Sequence, residues 1–591
     1  MCFCYLVVSL KYNSVNIMPW LVKDHFDTTV KMTTYLVAFI ISDFKSISKI
    51  TGHGAKVTVS HFVRAFLCLS LCEYIMVYFS VKSLDLSAIP DFQSGAMENW
   101  GWPTYQESVL FYNSEKSSAS SKLWISSMVI AHELQWFGNL VTMEWWNDLW
   151  LNVGFAKFME FMSVTQLFLE LQNDRMESQN DYFLRRCFYA MAVDALNSSQ
   201  PLSTRVEGPA QILEMFDNVS YEKGSCILNM LRDYLTADVF KAGLLQYLQK
   251  YKFLHTHFCF TVSVLPSSTS YMSSFSLATK NKHWTKGETL DVRATMGTWT
   301  RQKGFPLLTV TVRGKNVHLQ QENFCEVLPL NKALLFCSRY LWHIPLNYIT
   351  SKSDTVQRFL MTTKMLLSFR KRWSGLNSGW TQMGMVHYED DGWDHLINLL
   401  KENYTVISSK DRAISKTFDL TLYLKHERQI VPVLQGMNEL IAIYRLMERR
   451  DMDGTEKHLF KYLIDKQYQP CVDKAKGYFT EWQKSNGTLS LPADVKTTVY
   501  AVGAQTSEGR DFLLSRYRMN SFSGERENMK LALNLSRSKD KLQWLMDQGL
   551  HGDIIRTQDL PFIVVFVAKT SSGYHLPWTF LKENWEKVVE K

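Results

Sequence analysis

The residues best suited to chemistry in this chain stand together at 130–139, in the run Ile-Ala-His-Glu-Leu-Gln-Trp-Phe-Gly-Asn. A histidine followed directly by a glutamate offers an imidazole nitrogen to a metal and a carboxylate that can take a proton from metal-bound water. On a helix that chemistry needs HExxH, whose second histidine lies one turn after the first and shares its face. Here His132 and Glu133 are followed by Leu134, Gln135 and Trp136, and no second histidine comes. The run reads as a metal-site helix that has lost two residues. Such a loss turns everything downstream by about 200° at roughly 3.6 residues per turn. The apolar set Leu134, Trp136 and Phe137 is then expected to point the wrong way unless a loop or bulge absorbs the change.

Two flanking segments carry more information. Upstream stands Gly95-Ala96-Met97-Glu98-Asn99-Trp100-Gly101, and residues 136–156 read Trp-Phe-Gly-Asn-Leu-Val-Thr-Met-Glu-Trp-Trp-Asn-Asp-Leu-Trp-Leu-Asn-Val-Gly-Phe-Ala. Together with His132 and Glu133 they resemble the gluzincin zinc aminopeptidases, which carry GAMEN and HExxH-x18-E signatures, and within them the oxytocinase subfamily. The resemblance runs with interruptions from about Asp24 to the last residue.

The resemblance implies roles residue by residue. Gly95, Ala96, Met97, Glu98 and Asn99 match a substrate-binding edge strand whose backbone pairs with a bound peptide, with Glu98 taking the free α-amino group. Out of context an exposed glutamate is a solvated charge. The family's zinc is held by two histidines and by a glutamate on a later helix, while the HExxH glutamate activates water. His132 matches the first ligand and Glu133 the base, but the second histidine is deleted. Eighteen residues run from Gln135 to Asn152, so the third ligand position falls on Val153. A catalytic zinc normally needs three protein ligands plus water, so specific zinc binding is not expected. Tyr221, in Ser220-Tyr221-Glu222-Lys223-Gly224 ahead of Cys226-Ile227-Leu228-Asn229, matches the tyrosine that donates to the tetrahedral oxyanion. Read alone it is a core aromatic.

Other clusters suggest little chemistry. His255 and His257 have the spacing a strand could present to one metal, but no third ligand follows at a recognisable distance, and they read as surface histidines. Asp390, Asp391 and Asp394 lack the terminal glutamate of a calcium loop and read as a helix start.

The elements that must position these residues imply a multidomain α+β chain. Residues 1–59 comprise a divergent N-terminus and the remnant of an N-terminal β-domain, with strand-like alternation at 28–39. Residues 60–297 resemble a thermolysin-like peptidase domain, in which 266–283 reads as a loop and 65–81 as a core helix. Residues 298–386 alternate as a small β-sandwich, interrupted at 364–385 by a stretch with neither strand nor helix period. Residues 387–591 are helical and resemble an incomplete C-terminal α-solenoid, with apparent losses at 408–425 and at 465–471.

At 591 residues and 46% hydrophobic composition the chain is long enough for several cores. Its net charge of +8 is spread thinly, and nothing argues for nucleic acid. The resemblance implies one disulfide, Cys187 to Cys226, worth on the order of 3–4 kcal/mol, and leaves Cys471 as a free thiol. Asn197, Asn218, Asn403, Asn486 and Asn534 head glycosylation sequons. No confident membrane span or clear signal is present, since residues 2–9 are apolar but short. By resemblance the location is the endoplasmic reticulum lumen or secretory pathway. The activity implied is zinc-dependent trimming of peptide N-termini, of the kind that shortens antigenic peptides, in a chain expected to be impaired or inactive. The alternatives are a non-catalytic relative that binds peptides or pairs with an intact aminopeptidase, and a degenerate product that does not fold stably.

Overall fold

The computed structural model describes residues 3–6, 11–18, 21–26, 28, 31–50, 56–61, 83–90, 92, 95–100, 102–110, 136–171, 179–253, 255–256, 291–313, 316–324, 340–350, 353–370, 373–375, 383–389, 455–520, 523–570 and 572–589. They gather into two compact units, one formed by Met1–Val7, Phe39–Val129 and Tyr444–Lys591, the other by Val8–Ala38 and Ile130–Ile443.

The first unit contains a five-stranded sheet in the order Lys45–Ile50, Lys56–His61, Ser83–Ile89, Thr104–Gln106, Ala96–Met97. Its outer pairs are antiparallel and its inner ones parallel. In the middle strand Leu86, Ser87 and Ala88 are consecutive and fully buried, as happens where both faces of a sheet are covered. A separate pair joins Phe3–Leu6 to Phe39–Ser42.

The same unit holds the helices Thr455–Lys484, Lys496–Gly503, Ser507–Met519, Ser523–Leu533, Lys539–His551, Leu560–Ala568 and Leu576–Val589. Side-chain caps start two of them: Thr506 accepts from Gly509 N at 3.1 Å and Ser538 from Lys541 N at 3.4 Å. One continuous core runs from Phe479 and Trp482 through Tyr500 and Leu513 to Ile563 and Phe580. The junction at 465–471, where the resemblance implies lost helices, lies within a single helix that carries Pro470 inside.

In the second unit the strands Lys11–Met18 and Leu21–Phe26 form a hairpin. The alternation at 28–39 suggests a further strand, but the chain makes a 3₁₀ turn at Thr34–Leu36. Leu36 is fully buried there while Val37 and Phe39 are exposed, so the alternation never marked one buried face. The helices Leu149–Leu171, Gln179–Asp194, Gly224–Leu235 and Ala237–Tyr251 follow, then Val292–Thr300 and two sheets. One sheet runs Met365–Arg370, Asn316–Asn323, Pro306–Arg313, Met385–Tyr388, and the other Ser353–Met361, Ile344–Thr350, Trp373–Gly375.

Residues 364–385, which lack any period, thus supply strands to both sheets. Backbone pairing supports Met365–Arg370 against Asn316–Asn323 even without alternating side chains. Gln321, buried at 1% exposure, fastens this region: its amide donates to Trp342 O and Thr363 O, each at 2.9 Å, and accepts from Trp342 N at 2.9 Å. The expectations for 65–81, 266–283, 390–394 and 408–425 lie outside the described residues.

Candidate active site

The substrate-strand residues belong to the first unit. Ala96 pairs with Tyr105 and Met97 with Thr104, antiparallel, and no further strand lies beyond Ala96–Met97 among the described residues. This is the edge position that the resemblance implies. Gln106 N donates to Gly95 O at 3.0 Å, and Trp102 N donates to Asn99 O at 3.0 Å, so the strand is held at entry and turned at exit. Asn99 is buried, and its Oδ1 accepts from Thr104 Oγ1 at 3.1 Å. Glu98 is half-buried between these anchors, one residue beyond the last strand pair. An unpaired strand edge with a carboxylate at its end can take an extended peptide by backbone hydrogen bonds and its amine by charge.

The remaining site residues belong to the second unit. His132 and Glu133 lie outside the described residues, which resume at Trp136. The chain then makes a tight turn, with Val141 N donating to Trp136 O at 3.0 Å and Gly138 N to Val141 O at 2.9 Å. Gly138 has a φ of +121°, and a Cβ on it would stand 2.6 Å from the Asn152 amide. Only glycine lets this turn lie against the residue preceding Val153. Phe137 is buried and stacks on Phe155 at 3.9 Å between centroids. The chain turns here, the case the sequence reading left open, and Phe137 points into the core.

Val153 lies on the helix Leu149–Leu171, 5% exposed. It clusters with Met143, Leu149, Val206 and Met215, and Trp146, Ile212 and Tyr221 pack against that cluster. The structure thus brings together Val153 and Tyr221, the residues to which the resemblance gives the third-ligand and oxyanion-donor places, through a shared hydrophobic cluster. Trp145 Nε1 donates to Val206 O at 2.9 Å and Asn147 Oδ1 accepts from Val206 N at 2.9 Å, which fixes one wall of the cluster.

Tyr221 lies on a π-helical turn, Val219–Lys223, a form often found at functional sites. Asp217 Oδ1 accepts from Ser220 N at 2.8 Å and starts the turn. The two charged residues after Tyr221 are buried, and sequence reasoning passed over both. Glu222 pairs with Arg186 at 3.1 Å and with Lys157 at 3.8 Å. Burial raises the Glu222 carboxyl above its ordinary range, opposed by the Lys157 and Arg186 cations. Lys223 pairs with Asp194 at 2.8 Å, both side chains fully buried, and donates to Gln302 O at 3.2 Å and Gly304 O at 3.0 Å. Asp194 also accepts from Ser199 Oγ at 2.5 Å and Gly304 N at 3.0 Å. The one available signal was a glutamate and a lysine set within an apolar stretch, where charge is costly unless paired.

Cys187 and Cys226 face each other as buried thiols, their sulfurs 2.8 Å apart, so the residues named for a disulfide are neighbours but not joined here. Burial, then the hydrogen bond with Cys187, pushes the Cys226 thiol well up. Cys471 is exposed and free. His255 lies on a strand paired in parallel with Thr142–Met143, and His257 is outside the described residues. No group of three or more His, Cys, Asp or Glu side chains able to hold a metal forms among the described residues.

A zinc centre is tested against this arrangement by Val153: its side chain has no donor atom and its surroundings are apolar, so the position does not fit a metal ligand.

Comparison with known proteins follows the same lines. The profile of the peptidase family M1 domain matches residues 64–263, and that of the ERAP1-like C-terminal domain matches residues 453–591. The chain is 49% identical to endoplasmic reticulum aminopeptidase 1 of Mus musculus over 653 positions, spanning 98% of this chain and 69% of that protein. It is 39% identical to endoplasmic reticulum aminopeptidase 2 of Homo sapiens, over 98% of this chain and 68% of that one. Aminopeptidase N of Mus musculus is 29% identical over 96% of this chain and 64% of its own length. With the edge strand, the helix Leu149–Leu171 and the π-helical tyrosine all placed, the chain belongs to the peptidase M1 family of zinc aminopeptidases.

Proposed function

We propose that this chain is a member of the aminopeptidase family that no longer hydrolyses peptides, and that it keeps the means to hold a peptide N-terminus. The observation that carries the proposal is Val153, which seals the third ligand position into a hydrophobic cluster shared with Tyr221. The missing second histidine adds an independent loss. Losing a hydrogen-bond partner behind a metal ligand typically costs about 10–100-fold in affinity or activity, and losing two ligands outright costs more.

The alignment to endoplasmic reticulum aminopeptidase 1 spans 653 positions while this chain has 591 residues, so the relative carries stretches with no counterpart here. Those stretches lie inside the aligned region, in keeping with internal losses, and by resemblance we read 1–59 with a β-domain, 60–297 as a thermolysin-like domain, 298–386 as a β-sandwich and 387–591 with a helical solenoid. The names of the relatives support an endoplasmic reticulum location, and among the described residues no helix is long and apolar enough to cross a membrane.

The test is metal content after dialysis against zinc buffer, together with hydrolysis of an aminoacyl fluorogenic substrate. Sub-stoichiometric zinc and no turnover are expected. Stoichiometric zinc with turnover overturns the reading. Peptide retention is tested in the same preparation, and a free-amine peptide that binds no better than its N-acetylated form removes the role assigned to Glu98.

A further inference from the structure

We propose that a cleft among four helix ends in the first unit binds a small organic acid, a single carboxylate carried on a flat apolar body. The helices Thr455–Lys484 and Ser507–Met519 end at this cleft, and Lys496–Gly503 and Ser523–Leu533 begin at it. Its volume is about 440 Å³. Small-molecule sites usually measure roughly 300–1,000 Å³, so there is room for one aromatic ring and a short chain.

The floor is apolar and closed. Trp482, Leu491, Tyr500 and Met529 line it, and none is more than 4% exposed. The Trp482 and Tyr500 rings lie 4.9 Å apart between centroids and offer a ligand two aromatic surfaces. Ser490 and Met519, on the same wall, are exposed and form part of the mouth.

The charges on the wall select the sign of the ligand. Glu525 is the one carboxylate among the lining residues, and both its oxygens are taken. Oε2 accepts from Lys496 Nζ at 2.9 Å and Oε1 accepts from the Tyr500 hydroxyl. Burial, then the Glu525 charge, pushes the Tyr500 hydroxyl above its ordinary range, so it stays a neutral donor to that oxygen. No carboxylate is left on this wall to hold a cationic ligand.

Two cations stand against that single anion, and both have donors to spare. Lys496 is buried and carries three N–H groups, of which one has an acceptor among the described residues. Arg516 gives Nη2 to the neutral Asn486 Oδ1 and lies over the Phe512 ring at 5.2 Å, while its Nε is buried with no hydrogen-bond partner among the described residues. A buried donor without an acceptor is costly, and a ligand carboxylate supplies one. The two helix starts add partial positive charge at the same place. Two cations less one anion leave one charge to balance, which a monocarboxylate does.

The test uses the full chain and ligand-observed NMR titration with three probes: 3-phenylpropionate, 3-phenylpropanol, which lacks the carboxylate, and acetate, which lacks the apolar body. The phenylpropionate ion is expected to bind about tenfold tighter than either, the least that one hydrogen bond to a charged group supplies. R516Q is expected to bring the acid down to the affinity of the alcohol. S490W, at the exposed mouth, is expected to block both while leaving the charges in place, and each variant is accepted only with the melting temperature of the parent chain. Equal binding of acid and alcohol overturns the proposal, as does unchanged binding of the acid in both folded variants. A phenylalanine-ended hexapeptide that displaces the acid at a concentration below the acid's own Kd also overturns it, since the occupant is then a chain end and not a small acid.

Discussion

A glutamate restored at position 153 would have to ionise among Met143, Leu149, Val206 and Met215, with no cation in the cluster to pair with it. V153E is therefore expected to destabilise the second unit by at least about 3 kcal/mol, because an uncompensated buried charge costs several kcal/mol. V153L, which changes volume and not polarity, should cost less than about 1.5 kcal/mol. Urea unfolding of the two variants checks the difference, and near-equal midpoints would show that the cluster opens to water. At this scale the sequence was legible where a residue's type carries its chemistry: Val153 cannot bind metal wherever it sits. It was not legible for Glu222 and Lys223, because whether a charge in an apolar stretch is paired depends on Arg186, Lys157 and Asp194, which only folding brings to it.

Between elements, the helices Leu149–Leu171 and Gly224–Leu235 touch at two glycines. A Cβ on Gly154 would stand 3.2 Å from the Gly224 backbone, and one on Gly224 would stand 3.2 Å from Gly154 Cα. The neighbouring atoms are backbone and cannot rotate away. G154A is expected to push the helices apart and cost about 1–3 kcal/mol, the usual range for overpacking. Loss of near-ultraviolet dichroism from Trp150 and the stacked Phe137–Phe155 pair would accompany the drop in melting temperature. An unchanged melting temperature would refute the close contact. The sequence showed both glycines but not that they meet. Likewise residues 364–385 had no period to read, because their strands are set by pairing with Asn316–Asn323 and Ile344–Thr350 rather than by a buried face. The edge strand Ala96–Met97 was readable from resemblance and not from alternation, being too short to show a period.

For the molecule as a whole, the compartment it occupies sets the state of Cys187 and Cys226. The two lie 39 residues apart in sequence with adjacent sulfurs, so oxidation closes a loop already formed by the fold. Oxidised protein is expected to be more stable than reduced protein by on the order of 3–4 kcal/mol. Denaturant unfolding with and without reductant, with thiols counted before each run, measures the gap, and coincident curves with a titrated bridge would contradict it.

The Asp194 carboxylate meets Lys223 on the π-helical turn and the Gly304 amide 110 residues further along, at the entry to the strand Pro306–Arg313. Lys223 returns the tie through two carbonyls of the same 302–304 segment. Breaking such a buried pair by opening either side leaves the other charge uncompensated, at about 3–5 kcal/mol. The turn that carries Tyr221 and the first strand of the β-sheet region therefore have little freedom to unfold separately. Local opening near the tyrosine is penalised as heavily as loss of the strand, and the two belong to one cooperative folding unit.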